Sequence, residues 1–199
     1  MRERPWAGHR MARLNAWNST WSLDEKQCPC DLHFVDYLAE RDVRGKDLFH
    51  MGTGNHHIVG LKVAASDAGN QVFAITASKD EYDAYVALLL ENAELGFVYK
   101  CYFGDIYQID RRLMPDLDIA TLFHIGEYRT AENDSYGALT DEEMTLVLAD
   151  RLRPGGEIHF YTRSFAYDKG LAAGRALVEK RGFTDAGRYK TLHVFRKGV

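Results

Sequence analysis

The sequence is short of the features that mark chains without an ordinary core. It has only three cysteines and four prolines in 199 residues, too few for a disulfide framework or a proline-rich stalk. An odd cysteine count in a chain this long points to a reducing, cytoplasmic setting. No apolar run approaches the roughly 20 residues that span a bilayer, so a membrane partner is not expected. Residues 1–13, MRERPWAGHRMAR, are locally basic but lack the apolar stretch of a secretory signal, and read as a solvated start. Positive charge is not in excess: 25 Lys+Arg stand against 29 Asp+Glu, a net of -4. That argues against a protein that grips nucleic acid by charge alone. Internal repeats and low-complexity tracts are absent.

What is there is an ordinary globular composition, 46% hydrophobic and 27% charged. At roughly 100–200 residues per domain the length suits a single one. Residues 1–45 read as a helical or irregular segment that packs on, or covers, a pocket, and residues 46–199 as one alternating body. Short apolar runs at 46–51, 71–76, 97–103, 118–125 and 157–162 suit buried strands. Between them, 57–69, 78–96, 140–152 and 168–181 read as helices. Ser78 with Glu81, and Thr140 with Glu143, have capping-box spacing, and Gly69, Gly96 and Gly182 are helix stops. Arg-Pro-Gly-Gly at 153–156 reads as the break before the fifth strand. The runs 183–189 and 191–197 are too close for a parallel crossover and predict an antiparallel hairpin. The expected fold is α/β: a Rossmann-like, seven-stranded, mostly parallel sheet with an antiparallel C-terminal hairpin strand and helices on both faces.

Chemistry-bearing residues gather where strands end. His-Met-Gly-Thr-Gly-Asn-His-His, 50–57, follows the first strand and opens a helix, the context of a ligand loop. Gly52 and Gly54 allow close backbone approach, while His57 stands where a dinucleotide fingerprint needs glycine. Gly104, Asp105 and Ile106 follow the third strand: the carboxylate suits an exocyclic amine and the isoleucine a flat ring, although an Asx turn explains Asp105 equally well. His124, Glu127 and Tyr128 leave the fourth strand onto the same rim, where a histidine and a carboxylate can hold or move a proton.

No metal site is expected. Cys28 and Cys30 are one residue apart, closer than the usual knuckle spacing, and a second pair is missing. His56 and His57 are adjacent and share no helical face; His33, His50, His124 and His159 are scattered. Trp6, Trp17 and Trp21 all lie in the N-terminal segment and are expected to pack it on the core, with a covering role over the pocket as the alternative.

Taken in order, the glycine loop after strand one, Gly-Asp after strand three, Leu-Arg-Pro-Gly-Gly at 152–156 and the closing hairpin resemble the class I S-adenosylmethionine-dependent methyltransferases over residues 47–197. The resemblance implies S-adenosylmethionine as cofactor. Gly52, Thr53, Gly54, Asn55 and His56 would wrap its methionine part. Thr76, Ala77 and Ser78 would lie at its ribose, and Gly104, Asp105 and Ile106 at its adenine. His124, with Glu127, would lie near the methyl group and serve catalysis, and Tyr128, Tyr136, Trp17 and Trp21 would wall the acceptor. The sequence departs from the family at three positions. His50 replaces an acidic residue, His56 a third glycine, and Thr76 the acid that binds ribose hydroxyls, for which Ser78 or Asp80 could substitute.

The expected activity is methyl transfer to an oxygen or nitrogen of a small-molecule acceptor. The three departures motivate a rival, a non-catalytic binding or scaffold protein on the same fold. A homo-oligomer is compatible with either reading.

Overall fold

The computed structural model describes residues 16–199. The basic stretch at 1–13 and Trp6 lie outside the described residues.

Seven strands form one sheet: β1 (Asp47–Met51), β2 (Gln71–Thr76), β3 (Tyr99–Phe103), β4 (Leu117–Thr121), β5 (Leu152–Tyr161), β6 (Phe183–Tyr189) and β7 (Leu192–Lys197). Their order is β3-β2-β1-β4-β5-β7-β6. The first five strands pair in parallel, and β7 runs antiparallel between β5 and β6. The expected fold is therefore the observed one. From β1 the chain winds outward in one direction through β2 and β3 and in the other through β4 and β5. That reversal opens a crevice beyond the carboxyl ends of β1 and β4, where open α/β sheets bind ligands.

The alternation of side chains explains the two-sided core. Val72 and Ala74 of β2 join one apolar cluster with Phe34, Tyr37 and Leu38 of α1 (Cys30–Glu40), Val59 and Val63 of α2 (Ile58–Ala64) and Tyr85 of α3 (Lys79–Glu91). Phe73 and Ile75, the intervening residues, face the other cluster. That cluster includes Met144 and Leu148 of α6 (Asp141–Arg151) and Leu177 of α7 (Tyr167–Arg181). Two short helices complete the count, α4 (Leu95–Val98) and α5 (Ala131–Ser135). No helix among the described residues is long and apolar enough to cross a membrane.

Several boundaries differ from the sequence expectation. The helix expected over 57–69 ends at Ala64; the chain then turns through Gly69, whose φ is +69°. Phe97 and Val98 belong to α4 and not to β3, because a helical turn over Leu95–Val98 precedes the strand. Strand β4 stops at Thr121, and 122–127 is a turn. Residues 153–156 are not a break before β5 but an irregularity within its span. Leu117 pairs with Leu152 and Ile119 with Glu157, so the extra residues bulge out of register, with Gly155 at φ +77°. Thr140 and Glu143 form the expected reciprocal cap.

One ion cluster in this frame responds to acid. Glu157, almost fully buried, receives hydrogen bonds from Tyr37 (2.7 Å) and Arg196 (2.7 and 2.9 Å) and lies 2.9 Å from His159 Nε2. Burial opposes its charge, but these partners outweigh burial and hold the carboxyl at about 2. A carboxyl depressed in the folded state contributes stability above its unfolded value, near 4.3, that is lost as pH falls toward the folded value. The expected result is a urea midpoint that falls from pH 4.5 to 2, with that fall reduced in Glu157→Gln. An equal fall in the variant would assign the acid sensitivity elsewhere.

Candidate active site

The crevice is a cavity of about 780 Å³ at the carboxyl ends of the strands. Its floor comes from the loops after β1, β2, β3 and β4, and its cover from an N-terminal strap, residues 16–29. Gly52, Gly54, His56, Thr76, Ala77, Ser78, Gly104, Asp105, Ile106, His124, Glu127, Tyr128, Trp17 and Trp21 all line it. Three predicted residues do not. Thr53 is buried, with its hydroxyl directed at Glu81 Oε2 (3.4 Å). Asn55 turns outward, its side-chain amide donating to Ser22 Oγ (3.3 Å). Tyr136 lies behind Asp105, donating to its Oδ2 (2.7 Å), and walls nothing in the cavity. A second cavity, about 710 Å³, is lined by Arg41, Arg44, Lys46 and Arg196 among others, and contains none of the predicted site residues.

The glycine loop is tight. Gly54 has φ +55°, and a Cβ there would stand 2.4 Å from His56 Nε2 and 2.9 Å from the Trp21 carbonyl oxygen. Strap and loop also share the Asn55 N–H to Trp21 carbonyl bond (2.9 Å). Left-handed backbone without glycine costs about 1–3 kcal/mol, and the backbone contact adds to it. Gly54→Ala is therefore expected to lower the unfolding free energy by at least that amount, read as a lower urea midpoint, and to loosen the strap. An unchanged midpoint would mean that the loop is not held as described.

Two buried acids from elsewhere in the chain line the cavity, Asp31 and Glu81. Asp31, the second residue of α1, lies 3.7 Å from His50 Nε2 and 3.6 Å from His56 Nε2. Burial pushes Asp31 up to about 7. Burial, reinforced by the neighbouring histidines, pushes His50 down to about 3, so its ring is neutral. Its Nδ1 shares a hydrogen bond with Thr121 Oγ1 (2.7 Å).

Beside Thr76 at the end of β2, Glu81 and Ser78 both line the cavity. Glu81 is buried; its Oε2 accepts from Thr76 Oγ1 (2.6 Å), and its Oε1 lies near the Trp21 N–H (3.4 Å). It does not complete the expected capping box: Ser78 Oγ accepts from the Glu81 N–H, while the Ser78 N–H goes to Thr76 Oγ1. The carboxylate instead borders the cavity, with Thr20 and the Trp21 N–H on Oε1 and Thr53 and Thr76 on Oε2. The first turn of α3 is reached directly from β2, which brings a residue five positions past Thr76 back beside it.

Asp105 caps the 3₁₀ turn Ile106–Gln108, accepting from the Tyr107 N–H (2.9 Å). Its other oxygen accepts from Tyr136 and from Asn133 Nδ2 (3.3 Å). Of about four acceptor positions on a carboxylate, these bonds occupy three. The Asx-turn explanation thus applies, while the group still borders the cavity.

His124 sits in the turn after β4. Its Nδ1 lies 3.1 Å from Glu127 Oε1, which also accepts from Ser164 Oγ (2.5 Å) and the Phe165 N–H (3.0 Å). Its Nε2 faces two thiols, Cys28 Sγ at 3.4 Å and Cys30 Sγ at 3.8 Å. The hydrogen bond from Cys30, assisted by His124 and opposed by burial, holds Cys28 well below the ordinary thiol range. Burial works against a charged His124, but Cys28 and Glu127 outweigh it and raise the imidazole well above its usual value. Chain spacing could not show this set, since His124 lies 94 positions beyond Cys30.

The strap supplies the upper wall. Trp17 donates its N–H to the Ala77 carbonyl (2.8 Å), and its ring meets Tyr128 edge-on with centroids 4.8 Å apart. The Tyr161 hydroxyl donates to the Gln27 carbonyl (3.0 Å), fixing the strap just before Cys28.

No family model matches the chain, and no curated protein matches it. Solved structures do. A putative S-adenosyl-L-methionine-dependent methyltransferase from Methanococcus maripaludis is similar at a TM-score of 0.61 and 10% identity, over 86% of each chain. A putative rRNA-methylase from Clostridium thermocellum gives 0.59 at 14% identity, over 89% of this chain and 99% of the other. The cyclase SpnF gives 0.55 at 16% identity, over 92% of this chain and 87% of the other. At such identities the likeness is one of fold: this chain carries the class I methyltransferase fold.

Proposed function

We propose that this protein transfers a methyl group from S-adenosylmethionine to an oxygen or nitrogen of a small-molecule acceptor held beneath the strap. The observation that carries this reading is Glu81. A buried carboxylate faces the cavity at the end of β2, where the resemblance calls for a ribose-binding acid that Thr76 cannot supply. The cavity volume, about 780 Å³, is within the range of small-molecule and cofactor sites.

In this reading Glu81 accepts from the ribose hydroxyls, and Gly52 and Gly54 let the loop backbone approach the methionine part. Gly104, Asp105 and Ile106 border the adenine. When bound, the cofactor supplies an electrophilic methyl group; the protein supplies position and electrostatics. His124, held by Glu127, orients the acceptor heteroatom. Trp17, Trp21 and Tyr128 exclude water from the acceptor side.

The rival reading, a scaffold on the same fold, draws on His56, whose ring fills space beside Gly54. Asp31 and Glu81 weigh against it, because they return acids to the two places where the sequence lacks them. The neighbours include a cyclase as well as methyltransferases, so the fold does not choose the acceptor.

The test is incubation of the protein and a low-mass cell extract with methyl-labelled S-adenosylmethionine. The reading predicts label in a hydroxyl- or amine-bearing small molecule, with S-adenosylhomocysteine formed in equal amount. Cofactor binding without label transfer to any fraction would favour the scaffold.

A further inference from the structure

One part of the cavity exceeds what methyl transfer needs. Two thiols and an imidazole from distant parts of the chain converge on a single point of its wall. All three cysteines are free of disulfides. Cys28 Sγ and Cys30 Sγ are 3.6 Å apart, and His124 Nε2 lies 3.4 and 3.8 Å from them. The three donor atoms all fall within 4.8 Å of one another.

We propose that Cys28, Cys30 and His124 bind one zinc-class divalent cation, with its fourth position open to the cavity. The argument is first geometric. Bond lengths of about 2.3 Å to sulfur and 2.0–2.1 Å to nitrogen, at tetrahedral angles, separate two sulfurs by about 3.8 Å and a sulfur from a nitrogen by about 3.6 Å. The observed triangle has those edges to within about 0.2 Å.

The second argument concerns what surrounds the donors. A metal-bound histidine usually gives its other ring nitrogen to a carboxylate, which fixes the tautomer and turns the free lone pair to the metal. Glu127 holds His124 Nδ1 in this way, and Ser164 and the Phe165 N–H hold Glu127. Pro29 between the cysteines opens α1, where its missing N–H leaves no helical bond unmade. The two sulfurs are thus set on one side of a chain turn. Two soft thiolates with an imidazole favour a zinc-class ion over magnesium or calcium.

Two other uses of these atoms are told apart from the cation by metal uptake. A thiolate–imidazolium nucleophile would use Cys28 and His124, with Cys30 donating to the Cys28 sulfur, and it would take up no metal. A Cys28–Cys30 disulfide would leave His124 and its carboxylate without a role. The cation uses all four groups. Asp31 borders the set: its Oδ1 lies 3.8 Å from Cys30 Sγ, and its carboxyl also faces His50 and His56.

The open position faces the same cavity as Glu81. It would take an oxygen donor, either water or, resting on the methyl-transfer reading, the acceptor's hydroxyl. A cation bound there lowers the pKa of that oxygen.

The test is titration of the chelator-stripped, reduced full chain with Co²⁺, followed by Zn²⁺. The expected result is one Co²⁺ per chain, with visible bands of tetrahedral intensity and a thiolate-to-cobalt band in the near ultraviolet, all bleached by one equivalent of Zn²⁺. Cys28→Ser and Cys30→Ser should each lose the charge-transfer intensity of one thiolate. Glu127→Gln should weaken binding roughly 10–100-fold while keeping the spectrum. His124→Cys should keep a tetrahedral set, which separates loss of a ligand from loss of fold. No stoichiometric uptake by the wild-type chain would overturn the proposal. So would uptake that survives in the Cys28→Ser/Cys30→Ser double variant. Neither outcome bears on cofactor binding, which calorimetry reads separately.

Discussion

Glu81→Gln is expected to weaken S-adenosylmethionine binding roughly 10–100-fold, the loss of about 1.5–3 kcal/mol for hydrogen bonds to a charged group. The substitution keeps the shape of the side chain. Thr76 and Thr53 donate to Oε2, and Thr20 and the Trp21 N–H to Oε1; the amide keeps one acceptor oxygen for these donors, so some stability is lost with the charge. On the proposed reading, what is lost is a carboxylate acceptor for the ribose hydroxyls. Calorimetry measures the affinity, and thermal unfolding controls for stability. Affinity within twofold of wild type would remove Glu81 from the cofactor site.

His124→Ala is expected to cut methyl transfer by about 10²-fold, the order of loss when a reacting group is misplaced, while cofactor affinity changes by less than roughly threefold, under 1 kcal/mol. The asymmetry follows from position. His124 leaves β4 on the strap side, between the thiols and Glu127, whereas Glu81 lies at the end of β2. His124→Cys separates two versions of the role. A metal ligand is replaced by another ligand and keeps substantial turnover; an imidazole that orients the acceptor is not replaced, and turnover stays low. Turnover unchanged in His124→Ala would reject both.

The sheet was legible because each buried strand is a short apolar run bounded by glycine or a cap, as at residues 71–76, where expectation and strand coincide. The hairpin was legible because so few residues separate its two strands. The site was legible only as a rim. Gly52, Gly54, Asp105 and His124 could be placed there from the strand ends alone.

What escaped sequence reading depends on contacts between elements. Glu81 stands at the spacing of a helix cap, and nothing local distinguishes a glutamate that caps from one that turns inward onto Thr76. Asp31 reaches His50 from a helix that precedes the sheet altogether. The Cys28, Cys30 and His124 set depends on the strap being tied down by Tyr161 and Trp17, contacts for which no spacing rule exists. Tyr136 failed as a pocket wall because α5 turns it onto the outer face of Asp105.

The most direct test of the central claim is calorimetric titration of S-adenosylmethionine and S-adenosylhomocysteine into the wild-type chain, with NADH as the control. The account predicts a single saturable site for both sulfur ligands, weakened by Glu81→Gln, and no heat from NADH. Absence of binding at millimolar S-adenosylmethionine, a free energy weaker than about -4 kcal/mol, would contradict it.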